Sequence, residues 1–177
     1  MAADTSNVIL GSGKLYITEL SNGEIPESYE NDCVGDISGG AEIEYKPTIK
    51  EVKNDFQEVR KAFVTSEEVK LKSGVLTWNL ETMAKLTVGA KYTAKTGSSN
   101  ATLTLGGISE IKQYGIVFVH EKDNGAKIIV KLKGYNGSGF KFSFDPEKET
   151  VLDAEFTATK QSDKTLVKIE ETEAVEA

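Results

Sequence analysis

The side chains that could do chemistry in this 177-residue chain are one histidine, one cysteine and 28 carboxylates. His120 stands alone, whereas catalysis by a nucleophile and a base usually requires a histidine placed beside the nucleophile. Cys33 is the only cysteine, so the sequence lacks the Cys and His cluster that zinc or iron needs. A single cysteine also excludes an intramolecular disulfide. We expect no metal site and no cofactor.

Two pairs of carboxylates are spaced so that each pair shares one face of a strand. They are Glu42 with Glu44, and Asp153 with Glu155. Two facing carboxylates are the catalytic pair of a glycosidase. Such pairs also form the ordinary solvated side of an alternating strand, and we interpret both pairs in this second way. The glycine-rich stretches 11–13 and 134–139 lack the spacing and the lysine of a phosphate-binding loop. The sequence therefore predicts no enzyme.

Composition indicates one domain with much polar surface. The formal net charge is −7 and the mean hydropathy is −0.32, so no general attraction for nucleic acid is expected. No run approaches the roughly 20 apolar residues that span a bilayer, and no secretory signal is recognised, so we expect a protein made in a cytosol. We predict a flexible N-terminal arm at 1–7, a single domain at 8–169 and an acidic flexible tail at 170–177.

Most of the domain alternates between apolar and polar residues, as half-buried strands do. The predicted strands are 8–10 and 14–20, 41–45, 67–77, 114–121, 126–133, 140–144, 152–158 and 166–169. Asn124-Gly125 predicts a tight hairpin turn. Leu76, Leu80 and Met83 have helical spacing, and they predict a helix of about three turns, capped by Asn79 and ending near Gly89. The fold class is mainly β: an antiparallel β-sandwich or partly closed barrel with one flanking α-helix.

Between the predicted strands 41–45 and 67–77, residues 46–60 form a charged excursion. A polar excursion of this length is uncommon in a compact monomer unless it binds, moves or is disordered. We predict an extended loop that contacts another subunit, and the alternative is a solvated hairpin or helix without a partner. The candidate contact residues are Lys46, Ile49, Val52, Phe56, Val59 and Arg60. The flanking strands have an ionic side, formed by Glu42, Glu44, Glu68, Lys70 and Lys72, on which cross-strand Glu–Lys pairing is plausible.

The order of these features resembles the major tail (tail tube) proteins of long-tailed bacteriophages and of phage-tail-like particles. The resemblance covers residues 34–87, with the phrases VGDISGGAEIEYKPTIKEV and EEVKLKSGVLTWNLETMAKLT. It implies a β-sandwich with a flanking helix, whose subunits form rings, commonly hexamers, that stack into a hollow tube. The ionic side would face the lumen, and the excursion would reach a neighbouring subunit or ring.

The same resemblance implies a place and partners for the chain. It would assemble in the bacterial host cytoplasm and belong to the virion tail, with a tape-measure protein inside the tube and tail-terminator and tip proteins at its ends. DNA would pass through without specific binding, and no membrane would be involved. Two alternatives remain open: another virion structural protein, and a carbohydrate-binding or adhesion module. For the module, the stacking rings would come from Tyr16, Tyr45, Trp78, Tyr92, Tyr114 and Tyr135.

Overall fold

The structure, a computed structural model, describes residues 13–75, 79–107, 110–141, 146–147 and 150–173. The strands in these residues are β1 (Lys14–Glu19), β2 (Cys33–Lys53), β3 (Val59–Val75), β4 (Lys91–Thr93), β5 (Thr102–Thr104), β6 (Tyr114–Glu121), β7 (Lys127–Asn136), β8 (Leu152–Thr159) and β9 (Val167–Glu171). The described residues also contain one α-helix, α1 (Leu80–Lys85), and a 3-10 helix at Glu30–Asp32. Several predicted features lie outside the described residues: the arm at 1–7, the strand at 8–10, Leu76, Trp78, most of 140–144 and the end of the tail at 174–177.

Seven antiparallel strands form the main sheet in the order β6-β1-β2-β3-β8-β7-β9, and β4 pairs with β5 in a separate ribbon. The sheet folds over so that β7 also pairs with β6, and this pairing covers the full length of β6. The contact between β7 and β8 covers only four residue pairs, from Lys133↔Thr159 to Asn136↔Phe156. The fold is therefore an antiparallel, sandwich-like β fold, as predicted, in which the pairing of β6 with β7 links the two ends of the strand order from β6 to β7.

The core forms where alternating strands turn their apolar faces inward. In β3, Val69, Leu71 and Val75 are fully buried, whereas the lysines between them remain partly accessible. The apolar residues of β8 alternate in the same way, and Leu152 and Phe156 are buried beside them. This confirms the predicted faces of both strands. Four consecutive residues of β6, from Gly115 to Phe118, are buried, so both faces of this strand are covered.

The helix is shorter than the predicted three turns. Its start is as predicted, because the Asn79 side chain accepts a hydrogen bond from the Thr82 N–H at 2.8 Å. It ends after six residues, and turns occupy the chain from Leu86 to Gly89, where Gly89 has a φ of +73°. Leu86 is nevertheless buried in the core with Met83, so the apolar stripe has the packing role expected of it.

Asn136 ties the end of β7 to the end of this helix. Its side-chain N–H₂ group donates to the Leu86 carbonyl at 2.6 Å and to the Gly139 carbonyl at 3.1 Å. Its side-chain oxygen accepts from the Ser138 N–H at 3.1 Å, so both N–H donors and the oxygen of this buried amide have partners. The contact holds the short helix against the sheet.

Two predictions about the C-terminal half have different outcomes. The Asn124-Gly125 turn is confirmed: Gly125 has a φ of +80°, and Lys122 and Ala126 close the hairpin between β6 and β7. The predicted flexible tail is wrong at its start, because β9 continues through Glu170 and Glu171 and pairs with β7. Nearby lysines provide the reason, since Lys122 forms an ion pair with Glu171 and Lys131 forms one with Glu170.

Candidate functional site

The feature that stands out from this sandwich is a long β-hairpin arm. Residues 42–68, which we call the arm, belong to β2, β3 and the turn between them, and all are exposed except Asn54 at the turn. The prediction of an extended loop at 46–60 is therefore wrong in its local structure. Beyond the pairing of Tyr45 with the buried Val69, eight residues, from Lys46 to Lys53, run out along β2, and at about 3.3 Å per residue they reach about 26 Å from the core.

The alternation of apolar and polar residues does not predict this hairpin, because the register between β2 and β3 shifts three times. The shifts lie between Ser38 and Ala41, between Thr48 and Ile49, and between Val52 and Lys53. Gly39 and Gly40 make the first of them, with φ values of +79° and +77° that suit glycine. Each shift changes which residues share a face, so apolar residues occur on both faces of the arm.

The arm holds most of the exposed large hydrophobic side chains. Of the eleven in the described residues, eight lie on it: Ile43, Tyr45, Ile49, Val52, Phe56, Val59, Phe63 and Val64. Phe56, at the turn, is the most exposed at 85%. All six candidate contact residues are on the arm, but the sequence interpretation stopped at Arg60 and missed Phe63 and Val64, whose signal was the apolar pair in Lys61-Ala62-Phe63-Val64.

The turn at the end of the arm is ordered by Asn54. Its side-chain oxygen accepts hydrogen bonds from the Phe56 N–H at 3.1 Å and from the Glu58 N–H at 2.9 Å. Its amide group donates to the Glu58 carboxylate at 2.9 Å, and Arg60 pairs with the same carboxylate at 2.7 Å. These bonds order the backbone of the turn, on which the Phe56 side chain is exposed.

The five predicted ionic-side residues do lie on one face. Glu42 is directly opposite Lys72, Glu44 is opposite Lys70, and Lys46 is opposite Glu68. Residues directly opposite each other share a face of the sheet, so this arrangement has the Glu–Lys register expected from the sequence. We call this face, at the base of the arm, the ionic face.

The closest ion pair on the ionic face involves a residue that the sequence interpretation did not include, and the pair of Lys70 with Glu68, at 3.4 Å, is longer. Glu155 of β8 lies 3.0 Å from the Lys70 Nζ and 4.0 Å from the Lys72 Nζ. Hydrogen bonding to Glu155, more than the nearby Glu68, raises the pKa of Lys70. Lys70 and Lys72, which were expected to pair with glutamates of β2, therefore form ion pairs with Glu155 instead. Glu42 and Glu44 make no ion pair within the described residues.

A groove of about 420 Å³ opens beside the ionic face. Its floor is formed by small residues of the first register shift, Gly39 and Gly40, and by Ser73 and Gly74 of β3. Its polar rim consists of Glu42, Lys72, Asp153 and Glu155. Three of the four carboxylates that the sequence interpretation treated as solvated pairs, Glu42, Asp153 and Glu155, thus meet at one place, although they come from β2 and β8.

The described residues offer few other sites. Among them no three His, Cys, Asp or Glu side chains are grouped so that they could hold a metal ion, and no helix is long and apolar enough to cross a membrane. The tyrosines proposed for a binding module are spread over five strands: Tyr16 is on β1, Tyr45 on β2, Tyr92 on β4, Tyr114 on β6 and Tyr135 on β7. Trp78 lies outside the described residues. The Tyr45 hydroxyl donates to Glu67 at 2.8 Å, which raises the pKa of Tyr45.

Comparison with known protein families and with curated proteins found no match to this chain.

Proposed function

We propose that this chain is a structural virion protein that assembles with copies of itself into stacked rings, most simply hexamers, which form the tail tube of a long-tailed bacteriophage or a phage-tail-like particle. In this proposal it assembles in the bacterial host cytoplasm around a tape-measure protein, and tail-terminator and tip proteins close the tube. The tube conducts DNA without binding it specifically. The observation that supports the proposal best is the exposed arm.

The physical argument begins with the marginal stability of a two-stranded ribbon in water. The arm extends as such a ribbon beyond Val69 and exposes apolar side chains on both faces, including Ile49 and Val64 on one and Val52 and Phe63 on the other. Large exposed apolar surface on a soluble protein marks an interaction site. Because both faces and both strand edges are open, a partner that covers the arm must approach from more than one side, as neighbours in a repeated assembly do.

The ionic face supports the second half of the proposal. It holds the carboxylates of Glu42, Glu44, Glu68 and Glu155 and the amino groups of Lys46, Lys70 and Lys72. A wall of mixed charge does not release counterions from DNA as a basic surface does, so it would let a phosphate backbone pass. The resemblance of residues 34–87 to tail tube proteins supplies the specific architecture.

The test compares the full chain with a variant that lacks the arm. Residues 47–67 are replaced by Asn-Gly, which joins Lys46 to its neighbour Glu68 by a two-residue hairpin turn. Every buried hydrophobic residue lies outside the deleted segment, so we expect the variant to fold with an unchanged thermal midpoint. Negative-stain electron microscopy and sedimentation velocity should show rings or tubes for the full chain and monomers for the variant.

Two results would count against the proposal. A full chain that remains monomeric at high concentration and is retained on a glycan column would favour a binding module. Rings that form equally well without the arm would remove the argument from its exposed apolar surface.

A further inference from the structure

The distal half of the arm has one face that is both basic and apolar. Lys50 is directly opposite Phe63, and Val52 is directly opposite Lys61, so these four side chains share a face. The Lys61 Nζ lies 4.8 Å from the centre of the Phe63 ring, and Phe63 and Val52 are nearly half exposed. We call these four residues the distal patch. It has two positive charges, and neither lysine forms an ion pair within the described residues.

The groove beside the ionic face has the complementary character. Glu42 and Asp153 are on its rim, and neither makes an ion pair in the described part of the chain. Its floor is made of glycine, serine and alanine, which leave room for larger side chains such as Phe63 and Val52 to enter. Opposite charges across an interface fix its register and speed encounter, while apolar anchors supply affinity.

The patch and the groove of one molecule cannot meet. Lys50 follows Glu42 by eight residues along the same strand, about 27 Å at the rise of a β-strand. A paired ribbon cannot bend its far end back onto its own base without breaking its hydrogen bonds. Any docking of a patch in the groove therefore involves two copies of the chain.

We infer that the distal patch of one subunit docks in the groove of the next, with Lys50 and Lys61 facing Glu42 and Asp153. This inference rests on the proposed function and names the surface that receives the arm. A patch can meet a groove in a head-to-tail contact, as the proposed rings require, or reciprocally in a two-fold dimer. A head-to-tail contact closes into a ring when its rotation permits and otherwise continues as a filament.

Charge reversal on the two sides tests the contact. The patch variant is Lys50→Glu with Lys61→Glu, and the groove variant is Glu42→Lys with Asp153→Lys. Each alone places like charges in every contact, so we expect its critical concentration for assembly to rise about tenfold or more. Mixed in equal amounts, the two variants should assemble near the wild-type concentration, because each can place its arm only in the other. The quadruple variant should also assemble by itself.

The matched control is Lys91→Glu with Lys95→Glu, which makes the same charge change on exposed lysines at β4 and beyond it. It should assemble as the wild type does. All substituted side chains in the patch and groove variants are exposed, and circular dichroism checks that each variant keeps its fold.

The outcomes separate the two proposals. Loss of assembly in each double variant and its recovery in the mixture supports this docking. Assembly of either double variant at the wild-type concentration, or a mixture that stays dispersed, overturns the docking while ring formation by the wild type still supports the proposed function. A wild-type chain that never assembles overturns both.

Discussion

At the scale of single residues, Glu170 explains why β9 continues where the sequence suggested a flexible tail. Its carboxylate lies 2.8 Å from the Lys131 Nζ and 2.6 Å from the Lys168 Nζ. Two hydrogen bonds lower the pKa of Glu170 from 4.5 to about 2: the bond to Lys131 has the larger effect, and the bond to Lys168 has the second largest. Because the pKa is lower in the folded protein than in the unfolded chain, the carboxylate stabilises the fold fully above about pH 4.5, and this contribution is lost as the pH falls towards 2.

Glu170→Gln should therefore be less stable than the wild type at about pH 6 by under about 1 kcal/mol, since the pair is at the surface and screened by solvent. The difference should shrink to nothing as the pH approaches 2. Urea unfolding at a series of pH values measures it. Glu27→Gln removes an exposed carboxylate that makes no ion pair in the described residues, and its effect should not follow this course. A pH-independent difference for Glu170→Gln would contradict the assigned pairing.

At the scale of elements, the contact between β7 and β8 depends on the absence of a side chain. A Cβ at Gly134 would lie 2.2 Å from the Thr157 carbonyl oxygen and 3.2 Å from the Ala158 Cα, both backbone atoms that cannot move aside independently. Only four residue pairs join these strands, so displacing one disturbs the whole contact. Gly134→Ala should reduce the free energy of unfolding by about 2 to 3 kcal/mol, measured by urea denaturation.

Gly137→Ala provides the comparison because it lies three residues further along the same chain segment. There the nearest atoms to an added Cβ are 3.7 Å away, an ordinary contact distance. Its stability should remain within about 0.5 kcal/mol of the wild type. Equal losses in the two variants would mean that the close approach of β7 to β8 is not what Gly134 provides.

Elements could be predicted from the sequence wherever one face of a strand is buried. Val69, Leu71 and Val75 show the alternation clearly because the core selects apolar residues on one side only. The arm has no buried side to select, and its register shifts move apolar residues from one face to the other. The sequence of the arm therefore has the composition of a polar loop, although its two strands pair with each other almost to the turn.

The ionic face shows a second limit of sequence reasoning. Glu42, Glu44, Glu68, Lys70 and Lys72 could be assigned to one side because they lie on two strands that are neighbours in the chain. Glu155 could not, because its contact with Lys70 depends on the pairing of β3 with β8, about eighty residues apart in the sequence. Only the order of strands in the sheet brings the two together.

At the scale of the whole molecule, exposed apolar side chains are concentrated on the arm rather than scattered. Scattered apolar residues are normal on a soluble surface and need no partner, whereas a concentration of them indicates one. Ile49 on the arm and Ile111 before β6 allow a matched test, since they are 57% and 50% exposed. If assembly covers the arm, only Ile49 becomes buried, although the two side chains are equivalent in the monomer.

Ile49→Ser and Ile111→Ser should both leave the thermal midpoint of the monomer unchanged, because neither isoleucine packs in the core. Burial of the exposed half of an isoleucine contributes about 1 kcal/mol, so Ile49→Ser should raise the critical concentration for assembly about fivefold. Ile111→Ser should leave that concentration unchanged. Sedimentation across a concentration series measures both. Equal behaviour of the two variants would mean that assembly does not bury the arm, and the arm's apolar surface would then need a partner other than a second copy of the chain.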